Sequence, residues 1–314
     1  MSTNLHVKSV SISIRKGTPN QAVDQIVLDH NGVQSDRHAG PGPRQVSLFD
    51  WDLMRERAPE VAEAELPGTE NENIAVPGLS ALHVLPLDEL VVGEARLEVS
   101  VLGDRFVHGD TTLCADHEGG KHCAMGHDGL FARVVEGGAV KPGDIVTHRR
   151  RALRAMLITL SDRVSQGKAV DKSGDRAVEL LGTWCADSMW DLDLDRHVIP
   201  DERDQLAALL HRARRERPHV VITTGGTGIG PRDISPEVVR EHADKMIPGL
   251  MDHVRQKYGA AKPTVLLSRS VAAVIGESLV FALPGSTRAV EEYLGEITPL
   301  FEHMMLVLRG IDPH

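Results

Sequence analysis

An apolar run that breaks into a glycine loop constrains this chain more than any other feature. Val220-Val221-Ile222-Thr223 is short and rich in β-branched residues, which fits a strand covered on both faces. It opens directly into Thr224-Gly225-Gly226-Thr227-Gly228-Ile229-Gly230-Pro231-Arg232-Asp233. A strand of this kind belongs in a parallel sheet with helices on both sides, where ligands bind beyond the carboxyl ends of the strands. Glycines at that edge let backbone N–H groups approach an anion, and Thr227 adds a hydroxyl. The loop is therefore expected to hold a phosphorylated ligand, the bland alternative being a plain glycine-rich turn. Two familiar phosphate loops are excluded by spacing. A Walker loop needs Gly-Lys-Ser/Thr where Gly230-Pro231-Arg232 stands, and a dinucleotide fingerprint from Gly226 needs glycine at Pro231.

The surrounding pattern predicts a doubly wound α/β domain. Met156–Leu160 and Ser278–Leu283 read as further buried strands, and a helix is expected over Ser173–Ala186. Leu206, Leu209, Leu210 and Ala213 recur at helical spacing over Glu202–Arg215. Ser235-Pro236-Glu237 reads as a helix start with serine as N-cap, and Arg288–Leu308 as one long closing helix. Three more segments should meet the glycine loop at the same sheet edge. They are Ser161-Asp162-Arg163 with Asp171-Lys172-Ser173-Gly174, then Ile199-Pro200-Asp201-Glu202, then Leu283-Pro284-Gly285-Ser286. Alone, Asp201 reads equally as a helix N-cap. Acids grouped beside a phosphate loop also suit Mg²⁺, which uses carboxylates together with substrate phosphates.

Residues before this region read differently. Val10, Ile12 and Ile14 alternate with polar residues, as do Leu97, Val99 and Val101, and Gly and Pro turns are frequent. Leu48–Ala64 is the one convincing helix. The N-terminal half is expected to be mostly β, as a curled or closed sheet. The basic run His148-Arg149-Arg150-Arg151 reads as a solvated linker, which gives domains 1–148 and 149–314. The net charge of −10 rests wholly in the first: residues 1–148 carry 12 Lys+Arg against 22 Asp+Glu, and 149–314 carry 23 of each. That balance argues against duplex nucleic acid as a ligand. No apolar run approaches the ~20 residues of a membrane span, and Met1–Lys8 lacks a signal-peptide core. Three cysteines are too few for a disulfide scaffold, so a reduced, cytoplasmic protein is expected.

Residues 153–310 resemble the MogA/MoaB family of molybdenum-cofactor biosynthesis, and MogA and the gephyrin G domain more than MoaB. The segments that carry the likeness are those named above with Leu267-Ser268-Arg269, in the family's order. The resemblance implies adenylylation of molybdopterin by ATP, with release of pyrophosphate, as phosphoryl-type transfer by positioning and charge neutralisation. It places Asp201 at a Mg²⁺-phosphate centre and Asp233 on the pterin side. Thr224, Gly225, Gly226, Thr227, Gly228 and Arg232, with Pro284, Gly285 and Ser286, would enclose phosphates and pterin. Ser161, Asp162 and Ser173 are the nucleotide-side candidates. Arg232-Asp233 is the feature expected of the active branch. The resemblance also implies a homotrimer that works with other cofactor-biosynthesis proteins.

In the first half, His38-Ala39-Gly40, Arg44-Gln45-Val46-Ser47-Leu48, Glu72-Asn73-Ile74 and Gly129–Val134 with Gly137-Gly138 resemble the MOSC domain, over roughly residues 5–147. This implies a mostly-β module that binds the molybdenum cofactor or carries sulfur on a cysteine, for which Cys114 and Cys123 are the candidates. Asp110 stands where related sequences often have another cysteine. His122 and His127 near Cys123 would supply the positive charge that lowers a thiol's pKa, the equal alternative being a buried, inert cysteine. The set Cys114, His117, His122, Cys123 and His127 also reads as N/S ligands for zinc, without the spacing of a standard finger. Against the bifunctional enzyme stands a protein that holds and delivers the cofactor without catalysis.

Overall fold

A computed structural model describes residues 5–15, 19–102 and 129–311. The chain divides between Arg151 and Ala152 into two compact units, the second running to Arg309. Among the described residues no helix is long and apolar enough to cross a membrane.

The first unit is a curled, mostly antiparallel sheet. Its strand order is Leu5–His6, Ile145–Arg149, Glu89–Val92, Ala95–Leu102, Gly129–Glu136, Val46–Asp50, Ile74–Val76, Ser9–Ile12 and Gln21–Val23, with Gly138–Val140, Ile26–Asp29 and Gly32–Val33 as a small second sheet. Val46–Asp50 and Ile74–Val76 run parallel. Leu90, Val92, Leu97 and Val99 project into one core with Val46, Leu48, Ile74 and Val76, as alternating apolar residues must when a sheet curls around them.

Two expectations change here. Leu48–Ala64 is not one helix: Val46–Asp50 is a strand, and the helix is only Trp51–Arg57, capped by the Asp50 carboxylate on Asp52 N–H. The run Leu48, Phe49, Trp51, Leu53, Met54 satisfies both periodicities, and pairing with Ile74–Val76 decides its start. His148–Arg151 is not a loose linker either. His148 Nε2 bonds Asp88 Oδ2 at 2.7 Å, and the buried Arg151 donates its N–H to Asp88 Oδ1 at 2.9 Å and its guanidinium to Pro86 O at 3.0 Å.

The second unit is an α/β layer structure. Sheet order is Asp191–Ile199, Ala152–Leu160, Val220–Thr224, Ser278–Leu283, Val271–Ile275 and Lys245–Met246. The first four strands are parallel, and the last two join antiparallel. Helices Arg203–Glu216 and Ser235–His242 bury Leu206, Leu210, Ala213, Val238 and Val239 against Met156, Ile158, Val221 and Val280. The sheet's other side meets an aromatic group in which Phe281 stacks on Phe301 at 5.8 Å and Trp184 meets Phe301 edge-on. The closing helix is broken: Thr287–Ile297 passes through a tight turn at Thr298–Leu300, where Pro299 supplies no N–H, and restarts as Phe301–Leu308. Val271–Ile275, absent from the sequence reading, makes the sheet mixed rather than all parallel.

Candidate functional site

The parallel strands place four segments at one edge. They enclose a cavity of about 560 Å³ lined by Ser161, Ser173, Asp201, Gly226, Arg232, Asp233, Gly285 and Ser286, together with Thr159, Asp171, Lys172 and Thr287. Eight of the residues singled out in the sequence thus share one surface. Thr224, Gly225, Thr227, Gly228, Pro284 and Asp162 do not line it, though Asp162 bonds Asp201 and Gly225 packs against Gly285. Cys114 and Cys123, like His117, His122, His127 and Asp110, lie outside the described residues.

The glycines are there because three strand ends crowd together. Gly225 has φ +101°, and a Cβ on it would stand 2.3 Å from Leu160 O; a Cβ on Gly285 would stand 3.1 Å from Gly225 Cα. Gly226, at φ +64°, turns the chain where a Cβ would meet Ser235 Oγ at 2.6 Å. Positive φ and this approach leave glycine as the one unstrained choice. Ser235 is accordingly not the expected N-cap. It lies one residue inside its helix, where its hydroxyl donates to Gly225 O at 2.8 Å and so fastens the loop.

Two acids from neighbouring strand ends hold each other. Asp162 N–H donates to Asp201 Oδ2 and Asp201 N–H donates to Asp162 Oδ1, each at 3.1 Å. Asp201 is not the helix cap; Glu202 occupies that position, with its side chain accepting Gln205 Nε2 at 2.8 Å rather than a backbone N–H. Arg232 Nη2 lies 2.7 Å from both oxygens of Asp162. Burial pushes the Asp201 carboxyl up, the Asp162 N–H bond and the Arg232 charge oppose this, and the charges of Asp162 and Asp233 add to it. Among the described residues no hydrogen bond goes to Asp201 Oδ1, an oxygen suited to a cation that also takes phosphate ligands. Among the described residues no three His, Cys, Asp or Glu side chains gather as a metal cage. Asp233 Oδ2 accepts Gly230 N–H at 2.8 Å, and a Cβ on Gly228 would stand 2.7 Å from that oxygen.

Across the cavity, Asp171 caps helix Lys172–Asp187. It accepts Gly174 N–H at 2.9 Å, Thr159 Oγ1 at 2.7 Å and Arg196 Nη2 at 2.8 Å. Burial alone would raise Asp171, but these donors outweigh it and hold the carboxyl below its ordinary value. Helices Lys172–Asp187 and Thr287–Ile297 both begin at the cavity, with Ser286 capping the second on Ala289 N–H. Their amino ends favour anions. Lys172 lines the cavity, with no ion pair to an acid among the described residues. The arrangement suits a polyanionic ligand spread between two helix starts, a glycine loop and one cation-accepting acid.

Residues 156–303 match the family described as a probable molybdopterin binding domain. The molybdenum cofactor biosynthesis bifunctional protein of Synechococcus elongatus is 33% identical over 174 residues, 55% of this chain and 53% of that protein. The molybdopterin adenylyltransferases of Helicobacter pylori strain J99 and Haemophilus influenzae are 31% and 35% identical over 155 and 144 residues. Those matches cover 49% and 45% of this chain, and 86% and 71% of the two proteins. The chain spans about half the length of the bifunctional relative.

Proposed function

The chain belongs, through residues 156–303, to the probable molybdopterin binding domain family, and on that premise we propose that its second unit adenylylates molybdopterin in molybdenum-cofactor biosynthesis. An oxygen of molybdopterin attacks the α-phosphorus of ATP, the bond to the bridging oxygen of the β-phosphate breaks, and pyrophosphate leaves. The observation that carries the reading is the convergence of Asp201 and Asp233 with Gly226 and two helix starts on one cavity. The helix starts and Lys172 bind the nucleotide phosphates, and Asp233 holds the pterin side. Mg²⁺, bound by Asp201 and the phosphates, would neutralise charge on the leaving group. Arg232 and the Asp162–Asp201 pair orient that acid. Pyrophosphate release by the full chain with ATP, Mg²⁺ and molybdopterin tests the reading; binding of both ligands without release would leave a carrier in its place.

For the first unit we propose a MOSC role, binding the cofactor or carrying sulfur on Cys114 or Cys123. The reading is supported by the curled, mostly-β fold and by where three motif residues lie. Glu72 and Asn73 are buried just before strand Ile74–Val76, and His38 pairs with Asp36 at 3.3 Å. A cytoplasmic homotrimer that hands its product to other cofactor-biosynthesis proteins completes the proposal.

A further inference from the structure

Leu267-Ser268-Arg269 carries part of the family likeness but has no place in the chemistry above. Its arginine leads into strand Val271–Ile275 and reaches back to the glycine loop at three points. Arg269 N–H donates to Thr227 O at 2.9 Å, Nε to Gly228 O at 2.5 Å and Nη2 to Asp233 O at 2.7 Å, while Nη1 pairs with Glu237. Gly228 and Asp233 are the two ends of the short excursion that carries Gly230 and the Asp233 carboxylate. Within that excursion Gly230 N–H is the one donor to Asp233 Oδ2, at 2.8 Å, and the carboxylate rests against Gly228 with no room for a Cβ. A fixed distance between the carbonyls of residues 228 and 233 is therefore what aims the carboxylate.

We propose that Arg269 is a positioning residue for Asp233: its guanidinium ties both ends of the excursion and so presents the carboxylate to the pterin side of the site. The planar fork is needed because three acceptors in different directions are served at once, which the single ammonium of lysine does not reproduce. Glu237 is the fork's counter-ion and keeps it over the loop. The proposal rests on the adenylyltransferase reading for the identity of the ligand but not for the geometry of the loop.

The test uses the full chain, with Arg269→Gln, Arg269→Lys, Asp233→Ala and the double variant Arg269→Gln/Asp233→Ala. Amide hydrogen exchange of residues 225–233 should quicken in Arg269→Gln, while the strands Ala152–Leu160 and Ser278–Leu283 keep wild-type protection. Calorimetry with molybdopterin should show a loss of roughly tenfold in affinity, the scale of one charged hydrogen-bond donor. ATP affinity should move less than about twofold, and Arg269→Lys should recover only part of the loss. In the Asp233→Ala background the same change should cost almost nothing, because the two act through one another. Unchanged exchange in the loop would overturn the proposal whatever the ligand does, as would equal losses with and without Asp233. Absence of molybdopterin binding by the wild-type chain would instead sink the adenylyltransferase reading, with the exchange result still deciding whether Arg269 sets the loop.

Discussion

The two units use their motif residues in opposite ways. In the second, Ser161, Asp201 and Ser286 just past strand ends, Ser173 in a helix's first turn and Arg232 in the glycine loop all face a cavity. In the first, Ser47, Glu72 and Asn73 turn inward and bond to neighbouring segments, while His38 and Arg44 stay exposed. Asn73 Oδ1 accepts Ser47 N–H at 3.0 Å and Ser47 Oγ at 2.9 Å, while its Nδ2 donates to Asp36 Oδ2 at 3.0 Å and Ser11 O at 3.2 Å. Glu72 is fully buried, accepting Gly68 N–H at 2.5 Å and Glu70 N–H at 3.2 Å. A polar residue that faces a cavity has room for a ligand; one buried beside a strand spends its bonds on its neighbours. The cavity-facing residues of the second unit thus point to chemistry, and the buried, bonded residues of the first to architecture.

That contrast is open to direct attack. The largest effect should come from Asp201→Asn, which is expected to lower adenylyl transfer by ~3–4 kcal/mol in barrier with an unfolding temperature like the wild type. Initial-rate pyrophosphate assays check this, and wild-type turnover would remove Asp201 from the chemistry. The reverse pattern is expected of Asn73→Ala. It should lose about 3 kcal/mol of stability by stranding several buried partners, while specific activity per folded molecule is kept. Urea unfolding followed alongside the assay separates the two; a loss of activity without a loss of stability would blur the distinction between the units.

A pH comparison is finer. Burial pushes Glu72 up to about 7, against the bonds from Gly68 and Glu70. The folded state then keeps a proton that the unfolded chain has released between about pH 4.5 and 7. This contribution is complete below 4.5 and disappears as pH rises through 7, by up to about 3 kcal/mol. Glu296 in the second unit has the opposite sign. The bond from Lys257 lowers it most, burial opposes, and His253 and Tyr258 help bring it to about 2. Its contribution is present above 4.5 and lost as pH falls toward 2. Glu72→Gln should flatten the near-neutral slope of unfolding free energy and leave the acid slope alone; an unchanged near-neutral slope would refute the assignment.

The smallest expected signal is a near-absence. Burial, with the charge of Asp191, pushes the Cys185 thiol up to about 11, so brief iodoacetamide treatment at neutral pH should leave it unmodified. Peptide mapping should find label first on Cys114 or Cys123. Labelling led by Cys185 would contradict its burial, and three equally slow thiols would end the case for sulfur carriage in the first half.

What the sequence disclosed follows from locality. Val220–Thr224 and the glycines after it form one continuous segment, so strand, turn and anion-binding edge are all legible in a single run of residues. Leu48–Asp50 is a strand rather than the expected helix because its apolar spacing fits both and its partner Ile74–Val76 is distant in sequence. The bonds between Asp162 and Asp201 and the reach of Arg269 to Gly228 depend on strands that become neighbours only on folding. Ser235 was read as a cap from its place before proline, a local rule overridden by the nearby Gly225 carbonyl. Single residues at strand ends were recoverable; their pairings were not.

Asp88 bears on how such a protein can be recombined. Its carboxylate, only 2% exposed, takes bonds from both His148 and Arg151 and from Leu85 N–H. A chimera with its crossover between His148 and Arg149 would import a foreign residue at position 151 and disturb a buried anion belonging to the host half. Moving the crossover to Arg151–Ala152 carries the whole Asp88 cluster as one inherited block. Swapped second halves joined there should express with the first half intact, whereas libraries joined three residues earlier should be enriched for sequences that restore arginine at that position.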